Sequence, residues 1–148
     1  MKRLSYFLVV ALLAAISGCG GSNTTPANVG LFGKWNVVMY ANGGTTPTYV
    51  FALAMSQLGG SNYSGSSITY NGSVAIPSNM CINGNALSAT ASTSGNNFTM
   101  TVTDTTTQTL ITVQGSLVTQ TTTLSGTYNN LASSACPAST GTVTMSPQ

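Results

Sequence analysis

The sequence has no histidine, and its 148 residues carry only three Lys+Arg and one Asp+Glu. Lys2 and Arg3 stand at the amino terminus; beyond them the charged side chains are Lys34 and Asp104. These absences exclude a good deal. Without imidazole there is no Ser-His-Asp triad, and no histidine serves as proton shuttle or metal ligand. One acid cannot supply the carboxylate pair of glycoside hydrolysis or the several oxygen ligands of a hard-cation site. No cluster of Lys and Arg is present to neutralise the phosphates of a nucleic acid. A Ser-Lys arrangement around Lys34 is formally open, but no motif supports it. The expectation is a non-catalytic protein with no cofactor, no metal and no nucleic-acid partner. Scarce charge does not mean disorder here. Disorder pairs low hydrophobicity with high net charge, whereas 42% of these residues are hydrophobic and turn signals recur regularly.

Long hydrophobic runs are scarce as well. The one clear case is Tyr6 to Ile16, which follows Lys2 and Arg3. It is shorter than the roughly 20 apolar residues of a membrane span, and a positive start before a short apolar run is the form of a secretory signal. The run ends Leu13-Ala14-Ala15-Ile16-Ser17-Gly18-Cys19. Its last four residues resemble the lipobox of bacterial lipoproteins. The resemblance implies a diacylglyceryl group on the Cys19 thiol, cleavage before Cys19, and a palmitate-type acyl chain on the new amino terminus. Two or three such chains hold a protein firmly to a membrane where one does not. Gly20 stands where some bacteria read an aspartate as an inner-membrane retention signal, so the outer membrane is the favoured location within the cell envelope. The alternative is an ordinary cleaved signal with an incidental cysteine.

Cysteine is sparse, three residues in all. With Cys19 assigned to lipid, Cys81 and Cys136 remain as an even pair in an exported chain. An oxidising compartment favours one disulfide between them. Counted inclusively it closes 56 residues, for roughly 4 kcal/mol in the chain-entropy model. Two free thiols are the alternative. No CxxC spacing supports a redox role.

Three segments follow: a signal peptide over 1–18, a lipidated tether over 19–29, and a single domain over 30–148. The tether (Gly20-Gly21-Ser22-Asn23-Thr24-Thr25-Pro26-Ala27-Asn28-Val29) has too little apolar surface to order itself. From Leu31 onward the period is two. In Asn97–Thr103, Phe98, Met100 and Val102 face one way and the threonines the other. Val143 and Met145 repeat the pattern, as do Leu124, Gly126 and Tyr128, and with smaller side chains Leu87, Ala89 and Ala91. Asn42-Gly43-Gly44, Gly59-Gly60, Asn71-Gly72, Asn83-Gly84 and Ser94-Gly95-Asn96 punctuate these runs. The pattern predicts strands over 33–41, 49–58, 61–70, 72–76, 86–93, 96–104, 108–119, 121–129 and 140–146. Tyr49 to Leu58, YVFALAMSQL, does not alternate strictly and also suits a helix; it is read as a strand. The fold class is all-β, an antiparallel meander of about 8–9 strands closed as an up-and-down barrel or folded as a sandwich.

Phe32-Gly33-Lys34-Trp35 opens the first strand. Gly-x-Trp at that place resembles the start of lipocalin and avidin-type barrels, where the glycine lets the backbone pack closely and the tryptophan plugs one end. Trp35 also reads as an ordinary core residue. A transmembrane barrel is disfavoured: of eleven aromatics, Tyr6 and Phe7 leave with the signal, and nine are thin for two interfacial girdles. The sequons at Asn23, Asn62, Asn71 and Asn97 are read as chance matches in an Asn- and Thr-rich chain. The threonines of 105–107 and 121–123 are read as solvated faces and turns.

Two functions fit. One is a lipid-anchored envelope lipoprotein of structural or interaction type, contacting the membrane through Cys19 and an envelope protein or glycan through its neutral, hydroxyl-rich faces. The other is a binding module for a small apolar or amphiphilic molecule held inside a lipocalin-like barrel. For that reading the candidate ligand or core residues are Trp35, Met39, Tyr40 and Met55.

Overall fold

The structure, a computed structural model, describes residues 30–117 and 123–148. The signal peptide, Cys19 and the tether lie outside the described residues, as do positions 118–119 and 121–122 of two predicted strands. Eight strands are present among the described residues: β1 (Gly33–Ala41), β2 (Pro47–Gly59), β3 (Asn62–Ile68), β4 (Leu87–Ser94), β5 (Asn97–Asp104), β6 (Leu110–Ser116), β7 (Leu124–Asn130) and β8 (Ser139–Pro147). Each pairs antiparallel with the next, and β1 also pairs with β8, so the sheet closes into an up-and-down barrel. Closure removes every exposed edge. It also decides between barrel and sandwich.

The alternation read from the sequence sets the inside and the outside. Val37, Met39, Phe51, Leu53, Met100, Val102, Ile111, Leu124 and Met145 are buried within the barrel. Ser88, Thr90, Ser92, Thr99, Thr142 and Thr144 are exposed on its wall. An apolar interior with a hydroxyl-bearing exterior is the inverse of a membrane-spanning barrel.

Two short turns lie at the end at which β1 begins. The β2–β3 and β4–β5 hairpins turn on Gly60 and Gly95, each at φ 56°, a backbone region open to glycine without strain. This is the hairpin end. At the opposite, loop-bearing end lie the connections 42–46, 69–86, 105–109 and 131–138.

The predicted strand over 72–76 is absent. β3 pairs directly with β4, which leaves no place for a ninth strand. The 69–86 connection instead folds back over the outside of β1 and β2. The Asn71 N–H donates to Asn36 Oδ1 at 3.2 Å, and the Val50 N–H lies 3.2 Å from Met80 Sδ. This strap explains the unbroken apolar run of β2. Tyr49, Phe51, Leu53 and Met55 are buried inside the barrel, and Val50 and Ala52 are buried as well, on its outer side. Both faces of the strand are covered, so the run need not alternate.

Candidate functional site

The barrel interior is filled by its own side chains. Trp35, Met39 and Met55 all belong to the buried core. Trp35 sits toward the hairpin end, where its Nε1–H donates to the Leu31 carbonyl at 3.0 Å and Leu31 and Leu117 are buried with it. Across the barrel Phe98 faces Gly115, which pairs in turn with Gly126. A Cβ on Gly115 would stand 2.6 Å from the Phe98 ring, so the glycine makes the room that ring occupies. Tyr40 belongs to the other face of β1. It is half-buried on the outer wall, where it lines a depression with Val38, Tyr70, Val74 and Thr144. The four candidates therefore do not converge: three are packed inside and one lies outside.

The loop-bearing end is built differently. Cys81, in the 69–86 strap, is bonded to Cys136, in the β7–β8 connection, with an S–S distance of 2.12 Å and Cα atoms 5.3 Å apart. The bond ties the strap to the loop before the last strand. Ile82 is buried in the mouth beside it. Against the strap opens a cleft of about 600 Å³. Pro47, Ile76, Pro77 and Pro137 give it apolar walls; Thr46, Thr48, Asn79 and Ser139 give it polar ones. No carboxylate and no amine lines it. The lining thus combines hydroxyls, an amide and apolar walls, with the Tyr49 phenol among them.

A buried polar cluster underlies the cleft. Tyr49, at its base, carries an OH that receives a hydrogen bond from Asn130 Nδ2 at 3.1 Å and lies 3.4 Å from Ser139 Oγ and 3.7 Å from Cys81 Sγ. Asn130 Nδ2 also donates to the Pro137 carbonyl at 2.9 Å. Asn130 is fully buried, yet its Oδ1 has no partner, and the same holds for the Tyr128 OH. The Tyr128 ring meets that of Tyr49 edge-on at 5.8 Å. Nearby, Thr109 Oγ1 lies 2.9 Å from Ser133 Oγ and donates to Cys136 Sγ at 3.6 Å. The sequence reading missed Tyr49, Thr109 and Asn130 as a group. Asn130, at an inward position of an otherwise apolar alternation, was the available signal.

Asp104 also belongs to this end. It is buried, and it does not pair with Lys34, which is exposed at the start of β1. Its Oδ2 accepts the Asn83 N–H at 2.6 Å; its Oδ1 accepts the N–H groups of Thr106 at 2.7 Å and Thr107 at 3.2 Å. Burial pushes its carboxyl up, but the amides of Asn83, Thr106 and Thr107, with the Thr107 hydroxyl, outweigh burial and hold it below the ordinary value of 3.8. The one acid in the chain is thus a staple. It joins the strap to the β5–β6 turn.

Comparison with known proteins adds the fold and little else. No family model matches the chain, and no curated protein does. Among solved structures, a redesigned beta barrel is similar, with 12% identity and a TM-score of 0.54 over 80% of this chain and 91% of that one. At that identity the likeness concerns architecture.

Proposed function

We propose that this protein is a non-catalytic, lipid-anchored lipoprotein of the cell envelope, of structural or interaction type, with the outer membrane as its favoured location. The observation that carries the reading is the signal run ending in Ile16-Ser17-Gly18-Cys19. The barrel is consistent with it. Its interior is occupied by core side chains rather than by space for a ligand, and its outer faces carry hydroxyls instead of charge. The chain enters the barrel at the hairpin end, since β1 starts there. A tether arriving from lipid would therefore leave the strap, the disulfide and the cleft pointing away from the membrane. The test is metabolic labelling with a palmitate analogue in the native host. Wild-type chain takes up label and fractionates with membranes; Cys19→Ser takes up none and leaves the membrane. Label retained by Cys19→Ser would refute the anchor.

A second reading has its own observation. The cleft, lying over a buried Asn130 whose Oδ1 has no partner, fits a small neutral amphiphile bound at the barrel mouth rather than inside. Native mass spectrometry of the exported chain tests it. Extra mass that leaves on denaturation supports the ligand; a mass accounted for by chain and lipid alone counts against it.

A further inference from the structure

The five exposed large apolar side chains of the described residues all lie at the barrel's two ends. Ile76, Leu110 and Leu131 are at the loop-bearing end, Phe32 and Leu58 at the hairpin end. The latter pair is the more exposed, at 70% and 69%. Phe32 directly precedes β1, and Leu58 sits beside the Gly59-Gly60 turn of the adjacent hairpin. Lys34 is two residues from Phe32. Both are exposed, while Leu31 and Trp35, which flank them, are buried. The hairpin end therefore presents two apolar side chains and the one lysine of the barrel. The single side-chain carboxylate, Asp104, is at the far end.

We infer that this end rests on the lipid surface itself, with Phe32 and Leu58 entering the headgroup region and Lys34 facing the lipid phosphates. The inference depends on the anchor proposed above. Ten residues separate Cys19 from Gly30. They reach at most roughly 33–36 Å however they are arranged, so the hairpin end stays within that distance of the bilayer. Tethering turns docking into an intramolecular event with a high effective concentration. Two apolar side chains would not recruit a free protein, but under tethering they suffice to orient one. Phe and Leu side chains at the boundary of headgroups and acyl chains, and a cation near anionic lipid, are both favourable placements. The loop-bearing end, for all its exposed Ile76 and Leu131, is held a barrel length away.

The test uses the full lipidated chain in vesicles of phosphatidylethanolamine and phosphatidylglycerol, with and without brominated acyl chains. Native Trp35 is buried and gives the baseline. Phe32→Trp and Leu58→Trp add a reporter at the hairpin end; Leu131→Trp adds one at the other. All three positions are exposed, so the barrel tolerates them. The expected result is quenching of the added emission by brominated lipid at 32 and 58, with a blue shift, and neither change at 131. Vesicle-bound chain unquenched at 32 and 58 overturns docking and leaves the anchor standing. Quenching at 131 instead overturns the orientation. Chain that carries no lipid on Cys19 and does not float with the vesicles overturns docking and anchor together.

Discussion

The two ends of the barrel are sealed by different chemistry. At the hairpin end the β2–β3 and β4–β5 turns are short, their glycines supply the positive φ, and Leu31, Trp35 and Leu117 are buried. Trp35 bonds to Leu31, four residues away, and the Leu117 N–H to the Asn96 carbonyl at the neighbouring hairpin. At the loop-bearing end distant segments are joined by a disulfide, by Asp104 and by the cluster around Tyr49 and Asn130. One end is closed by apolar burial and local turns. The other is closed by polar and covalent links across the sequence, and among the described residues it alone has the cleft and the unpartnered buried oxygens. Long connections expose backbone that apolar packing cannot satisfy, and the polar links answer that need.

Removing the covalent link tests the comparison most severely. Cys81→Ser with Cys136→Ser is expected to lower stability by roughly 4 kcal/mol, read by urea unfolding. Native-state hydrogen exchange should then quicken over 69–86 and 131–138 while the Ser94–Asn97 hairpin keeps its protection. Equal quickening at both ends would mean that the ends are not separate units.

The hairpin end has its own weak point in Trp35. Trp35→Phe keeps an aromatic ring but leaves the Leu31 carbonyl without its donor. A loss of about 2 kcal/mol is expected, with exchange quickening at residues 31–35 and the loop-bearing end unchanged. A loss confined to the strap would contradict the assignment of Trp35 to the other end.

Asp104 offers a cleaner experiment than most proteins allow, because it is the only side-chain carboxylate present. Its folded carboxyl titrates below its ordinary value of 3.8. The folded state therefore binds fewer protons than the unfolded state in that range. The stability it contributes is full above the unfolded value and is lost as pH falls through the folded one. Wild type should lose stability on acidification from pH 6 to pH 2. Asp104→Asn should start lower and stay nearly flat over that range. A variant that still weakens steeply with acid would place the titration elsewhere.

How much of this was legible follows the same division. Phe98, Met100 and Val102 were assigned inward from alternation alone, because a closed barrel buries one face of every strand. Gly95 marked its hairpin because the turn needs a residue at positive φ. Both are local signals. The strap was not legible. Asn71-Gly72 looks like a hairpin, and only the closure of β3 on β4 shows that the chain has no partner there and must lie across β1 and β2. The same strap buries Val50 and Ala52, which made β2 resemble a helix. Tyr40 was misplaced among the core candidates because an aromatic in a strand reads as inward until the parity is counted from Trp35. The cluster of Tyr49, Thr109 and Asn130 joins three strands and loops far apart in sequence, and no spacing announces it.

The finest test weighs backbone strain against the polar network of the loop-bearing end. Gln108 is the one described non-glycine residue at positive φ, 58°. Its N–H donates to the Asp104 carbonyl at 2.8 Å and its Nε2 to the Thr105 carbonyl at 3.0 Å, closing the turn that Asp104 caps. Asparagine tolerates this backbone region better than glutamine and constrains the unfolded chain more than glycine. If strain dominates, Gln108→Asn raises stability by about 0.5 kcal/mol and Gln108→Gly leaves it near unchanged, since relief of strain and gain of unfolded-state entropy offset. If both variants weaken the protein equally, the Nε2 bond to Thr105 outweighs the strain. The loop-bearing end then owes its order to side-chain links even at the scale of a single turn, whereas the hairpin end meets the same backbone demand with glycine.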